Sequence, residues 1–152
     1  MKSTQTLLQV LTATGRRKTV IADCVVLIDE EVAKKTGLTG LTIKGAFAVV
    51  KALKPGFIAE AVDNLLDDFA ARLDPFYQAV PAGRSLPAHF VSQGSPIAEA
   101  LLGITDERAQ RAQNQTARKA YDKLRPTAKK HVEAAVPGIA RLVEKHTAEA
   151  AA

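Results

Sequence analysis

Tryptophan is absent from the 152 residues, cysteine and methionine occur once each, and aromatics make up only 5%. One cysteine excludes an internal disulfide framework and suits a reducing compartment. No apolar run approaches the ~20 residues that a membrane span needs. The opening MKSTQTLLQVLTATGRRK has a short apolar part, interrupted by Gln9 and Thr12 and followed by basic residues rather than a cleavage site. A signal peptide reads differently, so the expected setting is the cytoplasm, with no membrane partner.

What remains is ordinary for one globular domain, with 47% apolar and 24% charged residues. A chain of this length can bury a core without staples, and we read residues 1–152 as a single helical domain. Alanine is abundant, which favours helix by propensity and allows close helix–helix packing.

Apolar spacing supports an all-α fold, a compact bundle of about six to eight helices. Ser3 or Thr4 caps a short first helix carrying Leu7, Leu8, Val10 and Leu11, closed by Gly15. A second helix starts near Arg17 with Ile21, Cys24, Val25, Ile28 and Val32 on one face, and Gly37 is placed for a left-handed cap. Thr39 or Thr42 opens a third, with Ile43, Ala46, Phe47, Val50 and Leu53 inward, ended by Pro55-Gly56. The fourth has the cleanest stripe: Ile58, Val62, Leu65, Leu66, Phe69 and Leu73. Asp74-Pro75 is then a cap and first-turn proline for a separate short helix. Residues 81–87 read as a surface loop. Pro87 begins a turn with Phe90 and Val91, and Ser95-Pro96 reads as a cap and first-turn proline for a helix through Ile104. The polar stretch from Thr105 is helical with a break near Asn114. Pro126 starts the last helical region, Pro137 kinks or restarts it, and the tail 148–152 frays. TIKGAF (42–47) and TARKAY (116–121), each followed by a Leu-basic-Pro step, are compatible with two related helical hairpins or with two amphipathic helices alike by coincidence.

The stretches VAKKTGLTGLTIKGAF, VVKALKPGF, DPFY, ALLGITDERAQRA, RKAYDKLRP and HVEAAVPGIARLVEKH resemble a family of small all-helical bacterial proteins with no assigned activity. The resemblance runs from the second helix to about His146. It implies a helical fold and a bacterial cytoplasmic setting, and it carries over no functional residue.

Sites of known chemistry are hard to assemble from these residues. His89, His131 and His146 lie far apart, and none sits in an H-x-x-x-H or E-x-x-H arrangement. No metal or cofactor is expected. Glu60, Asp63 and Asp67 lie opposite the apolar stripe of the fourth helix, as a solvated face would. Gly37, Gly40 and Gly45 around Lys44 fit neither phosphate-loop spacing. Ser85, Ser92 and Ser95 lack a nucleophile elbow. Cys24 falls on an apolar stripe and reads as a small buried hydrophobe, and Tyr77 and Tyr121 as core-edge residues whose hydroxyls reach water.

Charge is the uneven feature. The net charge is +5 and the pI about 9.5. Arg108, Arg111, Arg118, Lys119, Lys123, Arg125, Lys129 and Lys130 crowd one stretch opposed by Asp122 alone, whereas residues 60–74 are acidic. On one unbroken helix Arg111, Arg118 and Arg125 would fall in line. Such a run is a solvated face, one that can dock on the acidic helix of the same molecule, a phosphate footprint, or a surface for an acidic protein or a second copy. The leading expectation is therefore a non-enzymatic protein engaged in protein binding, assembly or self-association. Nucleic-acid or polyanion binding through 108–130 is the alternative.

Overall fold

A computed structural model describes residues 5–151, in which seven helices and no strand are found: α1 (Leu7–Leu11), α2 (Arg17–Lys34), α3 (Gly37–Leu53), α4 (Phe57–Gln78), α5 (Leu86–Ser92), α6 (Gly94–Arg111) and α7 (Gln115–Ala151). The all-α multi-helix bundle expected from apolar spacing is what forms. None of these helices is long and apolar enough to cross a membrane.

Helix α7 is the spine. It packs on α1, α2, α3, α5 and α6, and α4 closes the other side of the core against α1, α2 and α6. Leu7, Val10, Val20, Leu66, Ala70, Leu73, Phe90, Ile97, Val136, Ala140 and Val143 form the buried centre. Burial of branched apolar side chains contributes roughly 1.5–3 kcal/mol each, and the short α1 and α5 persist only because their apolar faces join this centre. Helices α2 and α7 run antiparallel. Arg16 meets His146 and Glu149, Asp23 meets Lys145, and Gly138 passes Leu27 so closely that a Cβ there would strike its terminal methyl.

Several boundaries depart from the sequence reading. Thr6 caps α1 through a reciprocal box with Gln9, while Ser3 and Thr4 lie outside the described residues. Helix α1 ends at Leu11, and Gly15 instead supplies a left-handed turn before α2. Helix α3 starts at Gly37, ahead of Thr39, and its Leu53 is half exposed rather than inward. Asp74 does not cap a new helix: α4 continues through Pro75, and the Asp74 Oδ1 accepts the Leu7 N–H at 2.9 Å, capping α1 across the fold. Pro75 lies in the last turn, where its missing N–H leaves the Ala71 carbonyl without its helical donor. Tyr77 is buried, not at the core edge. Ser85 caps α5, whereas Ser95 already lies inside α6, which begins at Gly94 without a side-chain cap.

The break near Asn114 is present, and the Asn114 Oδ1 caps α7 by accepting the Ala117 N–H at 3.0 Å. Pro126 and Pro137 both lie within α7 rather than starting helices, and the helix runs on to Ala151 with Ala150 against the core where the tail was expected to fray. The two halves therefore do not repeat. Residues 42–73 fold as two helices broken at Lys54–Gly56, whereas 116–147 form one continuous rod.

Candidate functional site

The basic run is spread over two helices. Arg108 and Arg111 belong to α6, and the other six residues to α7, so Arg111 does not continue the line of Arg118 and Arg125. Four of the eight are held in ion pairs: Arg108 with Asp68, Arg111 with Glu107, Arg125 with Asp106 and Lys129 with Glu99. The docking of the basic run on the acidic helix is realised in the first of these. Among the described residues Arg118, Lys119, Lys123 and Lys130 have no ion-pair partner. The carboxylates of α4 follow the same logic, since Arg17 bridges Asp63 and Asp67 at 2.8 and 2.7 Å.

Two polar clusters look chemical at first sight. In one, Asp106 accepts Arg125 Nε at 2.7 Å and Nη2 at 3.0 Å, and the Tyr121 hydroxyl at 2.5 Å. Arg125 and Tyr121 together hold the Asp106 carboxyl below the usual range. Burial, with the neighbouring carboxylate, pushes the Tyr121 phenol up to about 12. A carboxylate saturated by three donors is a poor base, so this cluster clasps α6 to α7.

The other joins His146 to Asp23. His146 is fully buried on α7, with Nε2 2.8 Å from the Asp23 Oδ2 and Nδ1 3.1 Å from Arg16 Nη1. A guanidinium only donates, so Nδ1 accepts and Nε2–H donates to Asp23. Lys145 also donates to Asp23, at 2.8 Å, and it and His146 hold the carboxyl below its ordinary value. A catalytic His–Asp pair needs its second ring nitrogen open to a nucleophile. Arg16 occupies that nitrogen, and the pair serves as a buried clamp between α2 and α7.

The feature without such an explanation is a hollow of about 350 Å³ between α2, α4 and α7, with α3 laid across one end. Its walls are Leu27, Ile28, Phe69, Ala135, Ile139, Leu142 and their neighbours, almost wholly apolar and partly open to solvent. Voids in close-packed interiors rarely exceed a water molecule. Cys24 lines the hollow, and burial, with a smaller push from Asp23, drives the thiol up to about 11. The thiol is thus a protonated wall atom and not a nucleophile.

Polar groups gather at one end of the hollow only. There Glu31, Lys35 and His131 line it, with Thr105 nearby on α6. Residues Leu11, Val20, Leu73 and Val143 line it too and are buried. Lys35 has a side chain only 14% exposed, yet its one carboxylate neighbour, Glu31, lies 4.0 Å away and already holds Lys34 at 3.0 Å. The His131 Nε2 is buried without a hydrogen-bond partner. Desolvation, with Lys35 and Lys130 nearby, pushes this imidazole below its ordinary value, which keeps the ring neutral at pH 7. Among the described residues no three His, Cys, Asp or Glu side chains converge as a metal site.

None of the hollow was visible in the sequence, because its walls are spelled with the same residues as a filled core. Neither a curated protein nor a solved structure matches the chain. Residues 7–147 do match a family model, and the chain belongs to that family, DUF6918, a family of unknown function.

Proposed function

We propose that this protein binds a small apolar molecule in the hollow between α2, α4 and α7, as a carrier or sensor without catalysis. The observation that carries this reading is the 350 Å³ hollow with almost wholly apolar walls. Ligand pockets are typically ~300–1,000 Å³, mostly apolar, with a few placed polar groups. The hollow has both attributes, and occupancy would remove the cost of leaving its walls uncovered. This keeps the non-enzymatic character expected from the sequence but replaces the expected protein-binding or assembly role with a small-molecule ligand. The lone buried thiol fits a reducing compartment, and the cytoplasm is the setting we propose.

Titration with the neutral fluorophore N-phenyl-1-naphthylamine tests the reading. One saturable site per chain is expected, weakened at least tenfold by Ala135→Phe or by Ile28→Trp, which fill the hollow from two different helices. Circular dichroism verifies that each variant is folded. Unchanged binding in two folded variants would remove the hollow as the site.

The alternative, polyanion binding through 108–130, draws support from the unpaired Arg118, Lys119, Lys123 and Lys130. It predicts affinity for nucleic acid that falls steeply as salt rises, and loss of that affinity in an Arg118→Gln, Lys119→Gln, Lys123→Gln variant.

A further inference from the structure

We infer that the ligand is a single-chain fatty carboxylate whose head group is held by Lys35 and His131 while its tail runs toward Leu11 and Val20. This rests on the hollow being a ligand site and adds the chemistry of the ligand.

The antiparallel register of α2 and α7 gives the hollow a direction. The Arg16 end of α2 lies beside His146, and its Lys35 end beside His131. One end is thus sealed by buried Leu11, Val20 and Val143, while the other presents donors. An apolar tail and a polar head fit such a space in one orientation only.

The unused bonding capacity at the polar end selects the head group. Lys35 is largely desolvated and lacks a close carboxylate, and His131 has a buried, unpartnered Nε2. A carboxylate is planar and offers two oxygens, one for each donor. The charged groups around this end are Glu31, Lys34, Lys35 and Lys130, a formal balance of +2 that favours an anion. A neutral His131 can still donate through Nε2–H. Glu31 stands close enough to oppose a doubly charged phosphate monoester more strongly than a monoanion.

Size sets the tail. At 350 Å³ the hollow falls in the ~300–1,000 Å³ range of small-ligand pockets, which admits a single medium-length chain as the probe. A second, shallower hollow outside the same end is lined by Lys35, Leu38, Leu41 and Lys44. Lys35 lines both, and Leu38 and Leu41 are 85% and 69% exposed, which gives an apolar chain a path inward past a cation.

The experiment compares dodecanoate, 1-dodecanol and dodecyl phosphate, each below its aggregation limit, as displacers of bound N-phenyl-1-naphthylamine at pH 7.5. Dodecanoate is expected to displace the fluorophore at a concentration at least tenfold lower than either of the others. Lys35→Gln should shrink its advantage over dodecanol to about twofold while leaving dodecanol unchanged. The His131 ring ¹⁵N resonance should move with dodecanoate and stay with dodecanol. Equal displacement by dodecanoate and dodecanol, or preference for the phosphate, overturns the head-group assignment and leaves the apolar site standing. If the fluorophore itself does not bind, both fall together.

Discussion

Helix α7 carries two histidines, His131 and His146, in opposite circumstances. His146 is sealed in the core, with Asp23 on one nitrogen and Arg16 on the other, and Lys145 completes the shell around Asp23. His131 borders an apolar hollow, and its Nε2 meets no partner although it is buried. The first arrangement is how a fold tolerates polar atoms inside, each donor meeting an acceptor. The second leaves a desolvated donor beside empty space. His89 shares the buried, unpartnered nitrogen through its Nδ1 but does not line the hollow. The contrast therefore teaches that unspent bonding capacity draws attention to a histidine only where a cavity adjoins it.

Replacing each histidine by leucine breaks the comparison most directly. His146→Leu takes one buried hydrogen-bond partner each from Asp23 and Arg16, which keep Lys145 and Glu149. It is expected to cost about 2 kcal/mol, a fall of roughly 4–8 °C in Tm for a chain of this size. His131→Leu removes an orphaned polar atom and should stay within ~1 kcal/mol of the parent in either direction. Thermal denaturation of the two variants decides the matter, and equal losses would erase the distinction.

Cys24 sharpens it next, because the residue beside Asp23 faces the hollow. With its thiol pushed up to about 11, iodoacetamide should modify it on the order of 100-fold more slowly at pH 8 than an ordinary thiol near 8.5. The rate should keep climbing through pH 10, where an ordinary thiol has levelled off. A plateau near pH 9 would contradict a buried wall position.

Acid should then weaken the sealed end. The Asp23 carboxyl is depressed by Lys145 and His146. Its stabilising contribution is therefore present above the unfolded value near 4 and disappears as pH falls through the lower folded value. The stability gap between the parent and Asp23→Asn should be widest near neutrality and narrow progressively below about pH 4. Urea titrations at a series of pH values would show it, and a gap independent of pH would refute the assignment.

The smallest effect is expected at Gly138. In Gly138→Ala the new methyl meets the Cδ1 of Leu27, which also lines the hollow. The overpacking cost and the helix-propensity gain are each about 1 kcal/mol, so stability should change little. Affinity for N-phenyl-1-naphthylamine should drop a few-fold as Leu27 is displaced. A large loss of stability with unchanged affinity would mean that the leucine moves elsewhere.

The sequence conveyed the parts of the fold that depend on local periodicity. The stripe Val62, Leu66 and Leu73 on α4, the start of α2 near Arg17 and the break at Asn114 follow from spacing and capping chemistry. It misled where tertiary packing overrides a local signal. Pro126 and Pro137 stand inside α7 because contacts with five other helices offset the lost backbone bonds. Asp74 caps a helix 67 positions away instead of its own. The candidate site was unreadable for a different reason: Lys35 and His131 are brought together only by the antiparallel register of α2 and α7. The basic run, by contrast, was conspicuous as text, yet half its members are spent on Asp68, Glu107, Asp106 and Glu99.

Pro137 lies between the two histidines on the α7 spine. Lacking an N–H, it leaves the Glu133 carbonyl without its helical donor, so the rod has a soft point where flexing ruptures no intact rung. Below that point the rod is bolted to Arg16 and Asp23; above it, Tyr121 and Arg125 clasp it to α6, and residues on both sides line the hollow. The spine of the bundle is thus fastened toward both ends and most pliable between them, where it borders the hollow.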